Sequence, residues 1–161
     1  MLKQINTNNR GFTIIEIVVV LVLISIIAAA TFQRSISTDQ MNFRSQFDKI
    51  QNQMRYPQSI AMKRNEWWGI ACDGNDYWIF TGTKDTVSEQ RLLPGQENFQ
   101  ISLADLGVTM TPFTVIFDSY GIPYLPPDLI NPMSTELTVN LTGSGSQSGS
   151  FSIIPETGLI R

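Results

Sequence analysis

Oxygen donors crowd one short stretch of the chain: Asp73, Asn75 and Asp76 fall around Gly74. Carboxylate and amide oxygens at that spacing could hold a hard cation such as calcium. Calcium takes roughly six to eight oxygens, and no Glu follows at EF-hand spacing, so an Asp-Gly turn is the expectation. The neighbouring Cys72 is the single cysteine. It cannot form an internal disulfide, and in an apolar strand it reads as a small buried residue rather than a reactive thiol. Residues 143–150, GSGSQSGS, offer hydroxyls but no G-x-S-x-G register for a nucleophile elbow. Histidine is absent from the 161 residues, which removes histidine triads, histidine general bases and histidine metal ligands together. Asn140-Leu141-Thr142 matches a glycosylation sequon and nothing else supports it. No catalytic residue, cofactor site or metal site is expected.

The remaining candidate is Glu16, because of where it lies. Residues 17–30 contain one polar side chain, Ser25, and the window 12–30 adds only Thr13 and Glu16. As a helix that window measures ~28 Å at about 1.5 Å per residue, close to the hydrocarbon thickness of a bilayer. Residues 1–11 carry Lys3 and Arg10 and no acid, which keeps that end cytoplasmic and puts Arg161 on the far side. A secretory signal would use 17–27 as its apolar core and Ala28-Ala29-Ala30 as its cleavage site, leaving a secreted module that starts near Thr31. An uncleaved anchor would use the same run. Neither gains from Glu16, since a carboxylate at the bilayer centre costs about 2.5–3.5 kcal/mol. A place in the first helical turn would return about 0.3–1 kcal/mol through the macrodipole. That leaves the charge inside the apolar stretch unexplained, so a cationic partner is expected.

Arg10-Gly11-Phe12-Thr13-Ile14-Ile15-Glu16, followed by a Val/Leu/Ile run, resembles the class III signal of type IV pilins and pseudopilins. The resemblance implies that a prepilin peptidase cuts between Gly11 and Phe12 on the cytoplasmic face, and that Phe12 is N-methylated. It also implies that Glu16 pairs with the N-terminal amine of a neighbouring subunit during assembly. The physics agrees: a desolvated carboxylate needs a cation, and cleavage creates one at Phe12.

The elements that must position these residues follow from periodicity. Ile36, Phe43, Phe47, Ile50 and Met54 form one heptad-like stripe, so the helix is expected to continue well past Ala30. The stripe is expected to pack on the domain's own core rather than form a coiled-coil seam, because only three heptads fit. Pro57 should bend that helix, or break it and open a second one. From Trp67 the pattern shifts to period two. A hairpin of Trp68 to Cys72 and residues 77–81 is expected around Asp73-Gly74-Asn75-Asp76, with about half of Trp67, Trp68, Tyr77 and Trp78 turned inward. Further strands are expected at 99–103, 113–118, 136–141 and 150–154. Residues 143–150 read as a flexible loop, and 122–132, with four prolines, as an irregular surface segment.

The expected fold is therefore α+β, a long N-terminal helix packed on an antiparallel β-sheet head. Its parts are a leader (1–11), a transmembrane and assembly half-helix (12–30), an amphipathic stem (31–64) and a periplasmic head (65–161). The stem carries Arg34, Arg44, Lys49, Arg55, Lys63 and Arg64 against Asp39 and Asp48, whereas residues 92–160 contain acids and no base. That segregation reads either as two solvated surfaces or as complementarity between successive subunits.

Arg55-Tyr56-Pro57-Gln58-Ser59-Ile60-Ala61-Met62, the strand after it, and the ending Phe151-Ser152-Ile153 … Thr157-Gly158-Leu159-Ile160 resemble the H-type minor pseudopilins of type II secretion and the FimT-like minor pilins. Pro57 departs from the small residue expected there. The resemblance implies a non-enzymatic minor subunit, anchored in the bacterial inner membrane with a periplasmic head and assembled into a pseudopilus or pilus. Its implied partners are the prepilin peptidase, other pilin subunits and the inner membrane. A DNA-uptake role would need exposed Lys and Arg on the head. The chain has 11 basic and 14 acidic residues, a net charge of −3 and a pI near 4.8, and Arg161 is the lone base of its acidic half. No nucleic acid is expected.

Overall fold

The computed structural model describes residues 12–161, without the side chains of residues 31–38 and of Ser146. The expected leader 1–11, including Gly11, and the Ile36 position of the stripe lie outside the described residues. The chain is α+β, as its sequence predicts. Helix α1 is assigned from Ile14 to Arg64. Nine strands follow: β1 (Trp68–Cys72), β2 (Asp76–Thr81), β3 (Gln90–Arg91), β4 (Gln100–Ser102), β5 (Val108–Met110), β6 (Phe113–Phe117), β7 (Pro123–Tyr124), β8 (Leu137–Gly143) and β9 (Ser148–Ile153). The chain divides into two compact units, Met1–Thr38 and Asp39–Arg161.

The second unit is built on residues 39–64 of α1. Ile50, Met54, Ile60 and Ala61 are buried there, with Phe43, Phe47 and Tyr56 half-buried beside them. The apolar stripe therefore faces its own core. Pro57 lies inside α1 and is buried; the helix does not break and no second helix opens. Proline at this position cannot donate to the Gln53 carbonyl. Nearby, the Gln53 side chain accepts a hydrogen bond from the Tyr77 hydroxyl, which ties this turn of the helix to β2.

All strand pairs are antiparallel and form two sheets. The larger has the order β3-β2-β1-β6-β7, with β4 also on β2; the smaller is β5-β8-β9. The expected hairpin is present as β1 and β2, with Trp68 opposite Thr81 and Cys72 opposite Tyr77. Ile70, Tyr77, Val115 and Phe117 of the larger sheet share one core with Val139, Leu141, Phe151 and Ile153 of the smaller.

Three differences from the sequence reading have clear causes. Strand β1 is buried at all five positions, not on alternate ones. It is the centre of its sheet, and the outer face is covered by a second cluster of Ala71, Phe80 and Ile116, against which Trp67, Trp78 and Leu129 pack. Leu129 comes from the proline-rich segment, which is an irregular surface segment as expected apart from β7 and packs on that face through this side chain. Residues 143–150 are half strand: β8 runs to Gly143, a 3-10 turn occupies Ser144–Ser146, and β9 starts at Ser148. Gly143 and Gly149 are packing residues, since a Cβ on Gly143 would stand 2.5 Å from the Phe43 ring and one on Gly149 2.8 Å from Phe47. Finally, β3, β5 and β7 are only two or three residues long, too short to show periodicity.

Candidate functional site

Within the first unit, α1 begins by capping itself. Thr13 precedes the helix, and its hydroxyl oxygen accepts a hydrogen bond from the Glu16 backbone N–H at 3.3 Å. The Thr13 carbonyl accepts from the same N–H at 3.1 Å. Thr13 is thus the N-cap and Glu16 the third helical residue, the spacing of a capping box. Sequence reasoning passed over this T-x-x-E signature, although it is visible in Thr13-Ile14-Ile15-Glu16.

The large apolar side chains from Phe12 to Ile27 are all exposed, from 48% at Val18 to 83% at Ile14. A helix apolar on every side cannot satisfy itself against one core. Its polar groups divide sharply. The Ser25 hydroxyl donates to the Leu21 carbonyl at 2.7 Å, so it presents nothing unpaired to an apolar environment. Thr13 is occupied by the cap. Among the described residues, only the Glu16 carboxylate in this stretch has no partner.

No helix among the described residues is long and apolar enough to cross a membrane. The apolar part that is helical, 14–30, measures about 25 Å at about 1.5 Å per residue, against about 30 Å of hydrocarbon. The ~28 Å expected from sequence counted Phe12 and Thr13 as helical, and they precede the helix.

In the second unit, the segment Arg55 to Gln58 does structural work that its sequence did not reveal. The Arg55 guanidinium donates twice to the Ile160 carbonyl, at 3.3 and 3.0 Å, and once to Asn52 Oδ1 at 3.1 Å. The Gln58 amide nitrogen donates to the Gly121 carbonyl at 3.0 Å and to the Thr157 carbonyl at 2.7 Å. Gly158 stands at φ +63°, where a Cβ would meet the Gly121 oxygen at 2.5 Å. The Thr157-Gly158 turn is therefore held by one helix side chain and fits only because it lacks a Cβ.

The oxygen cluster of the β1–β2 turn is a turn. Asp73 Oδ1 accepts from the backbone N–H groups of Asn75 and Asp76, each at 2.8 Å, and these bonds hold its carboxyl below the usual range. Cys72 is buried, which pushes its thiol up to about 11. Trp68 and Tyr77 belong to the main core and Trp67 and Trp78 flank the second cluster, so these aromatics form packing surfaces.

The family described as the prokaryotic N-terminal methylation motif matches residues 6–32. No curated protein and no solved structure matches the chain. The start of the chain therefore carries a type IV pilin-like motif. That motif implies processing by a prepilin peptidase, assembly among pilin subunits, membrane-anchored export and a structural, non-enzymatic role.

Proposed function

We propose that this chain is a minor structural subunit of a bacterial type II secretion pseudopilus or type IV pilus. In this reading the prepilin peptidase removes residues 1–11 by cutting between Gly11 and Phe12, and the new amine of Phe12 is methylated. Before assembly, residues 12–30 sit in the inner membrane with the head in the periplasm. Nineteen residues fall within the range of roughly 17–25 that can span, and Phe12 and Thr13, outside the helix, reach up to about 3.3 Å each toward the interface. In the fibre, neighbouring helices replace lipid around this segment, and Glu16 pairs with the Phe12 amine of an adjacent subunit.

The observation that carries the reading is the Glu16 carboxylate, which has no partner among the described residues and lies in an apolar stretch whose Thr13 and Ser25 hydroxyls bond backbone groups of that same stretch. A lone carboxylate in an apolar helix is stabilised by a desolvated cation and by little else. The H-type or FimT-like assignment is supported by the Arg55-to-Met62 sequence and the Thr157-Gly158 ending. Intact mass and N-terminal peptide mapping of the protein from its native membrane test the proposal. A chain beginning at methylated Phe12 is the expected result. A chain beginning near Thr31 would replace it with a secreted β module released by an ordinary signal peptidase.

A further inference from the structure

One side of α1 carries a row of hydrogen-bond donors. Lys49, Asn52, Gln53 and Tyr56 recur at the spacing that puts residues on a common helix face. Across from them stands the turn Leu93-Pro94-Gly95-Gln96, and its last three residues close a groove of about 410 Å³ against that face. The turn is a firm wall. The Gln96 N–H donates to the Leu93 carbonyl at 3.1 Å and Gly95 stands at φ +74°, the pattern of a type II turn with Pro-Gly at its centre. Leu93 is buried in the main core and anchors the turn there.

The donors are oriented by bonds made outside the groove. Gln53 Oε1 accepts from the buried Tyr77 hydroxyl, and Asn52 Oδ1 accepts from the Arg55 guanidinium at 3.1 Å. With each carbonyl oxygen held elsewhere, each side chain has its NH2 group left for the groove that both line. Charge has the matching sign. No acid lines the groove, Asp48 lines a different one, and neither Lys49 nor Arg55 forms a salt bridge with a described residue.

Two amide NH2 groups beside an uncompensated ammonium call for an anion. The Tyr56 ring and Pro94 add apolar walls, which suit a carboxylate on a short methylene stem better than a phosphate. Lys49, Asn52, Pro94 and Gly95 are exposed, so a free small acid would stay largely in water, whereas small-molecule sites bury roughly 70–90% of their ligand. A side chain borne on another protein brings its own cover. We infer that this groove binds the carboxylate of an acidic side chain presented by a partner protein. Asn52 and Gln53 donate to its oxygens, Lys49 supplies the charge, and its methylene stem lies between Tyr56 and Pro94. The inference rests on the second unit alone and stands or falls independently of the filament assignment.

The probe is N-acetyl-glutamate N-methylamide, titrated at constant ionic strength into the isotope-labelled full chain in detergent micelles. Binding is read by NMR on the side-chain NH2 groups of Asn52 and Gln53 and on the backbone amides of Gly95 and Gln96. All four should shift saturably, and the uncharged glutamine analogue should bind about fivefold or more weakly. Lys49→Met should weaken the glutamate probe about threefold or more. The double variant Asn52→Asp, Gln53→Glu keeps the oxygens bonded by Arg55 and Tyr77, so the fold survives, but it replaces both donors with carboxylates and should abolish the Gly95 and Gln96 shifts. Absence of saturable shifts overturns the inference, as does equal binding of the two analogues, an unchanged affinity in Lys49→Met, or binding retained by the double variant. Acetate binding as tightly as the glutamate probe would give the groove to a free small acid, and inorganic phosphate binding more tightly would give it to a different anion; either overturns it.

Discussion

Glu16 and Thr13 illustrate how one residue can serve two levels of structure. The Glu16 backbone N–H completes a cap on Thr13, while its carboxylate has no partner among the described residues and is the group that the proposed assembly pairing would use. Replacing Glu16 by Ala leaves that backbone cap in place and removes only the charge. The E16A chain should insert and be processed, its head should unfold within about 0.5 kcal/mol of the parent, and it should disappear from the pelletable filament fraction. A parental yield in that fraction would show that the carboxylate has no assembly role. Gly69 tests packing at the same scale. It lies opposite Phe80 in the β1–β2 pair, and a Cβ there would collide with the Phe80 ring. Gly69→Ala should therefore cost about 1–3 kcal/mol in a denaturant melt, and Phe80→Leu in the same chain should recover part of the loss. Cys72 supplies a pH test. Burial pushes its thiol up to about 11, so above about pH 8.5 the folded chain holds a proton that the unfolded chain has lost. Stability must then fall as pH rises through that window. Cys72→Ala should flatten the fall between about pH 8.5 and 10, and the buried Tyr77 hydroxyl, also pushed up, should steepen it at higher pH.

At the level of elements, α1 is fixed to the end of the chain by Arg55. Losing its fork should free residues 159–161 without unfolding the sheets. Arg55→Ala should raise hydrogen exchange at Ser152 and Arg161 while the amides of β1 stay protected; unchanged exchange at Arg161 would mean that the backbone pairing alone holds the tail. The strongly patterned elements were legible from sequence. The stripe through Phe43, Phe47, Ile50 and Met54 gave the helix its buried face, and Asp73-Gly74 marked the first hairpin, because local periodicity and turn chemistry are sequence properties. Residues 143–150 were legible as the connection of β8 to β9 but not in their strand ends, because serine and glycine composition resembles a linker. Its strand ends at Gly143 and Gly149 pack under two phenyl rings contributed by a helix about a hundred residues earlier, a contact that no local pattern encodes. Pro57 left a bend and a break both open; the helix runs on without a break, because tertiary burial outweighs the lost hydrogen bond. Of the candidate site, Glu16 stood out by its charge against an apolar run. The roles of Arg55 and Gln58 depend on carbonyls of Ile160, Gly121 and Thr157, which carry no side-chain signature.

For the whole molecule, the division into Met1–Thr38 and Asp39–Arg161 separates the surface that needs apolar company from the surface that carries its own core. A chain truncated to begin at Asp39 should fold, remain soluble without detergent and sediment as a monomer, whereas the chain from Phe12 should require detergent. Loss of cooperative unfolding on truncation would show that the first unit is needed for the head. Burial on both faces of β1 has a different kind of consequence. A strand with one wet face, such as β8, can exchange Thr138, Asn140 or Thr142 for almost any polar residue. Strand β1 offers no such position. Random mutagenesis should therefore leave two distinct imprints, a two-residue rhythm of permitted and forbidden sites along β8 and an unbroken block of five forbidden sites at Trp68–Cys72. Because the central strand cannot vary, the chain's capacity to acquire new surface chemistry lies at the periphery of its sheets.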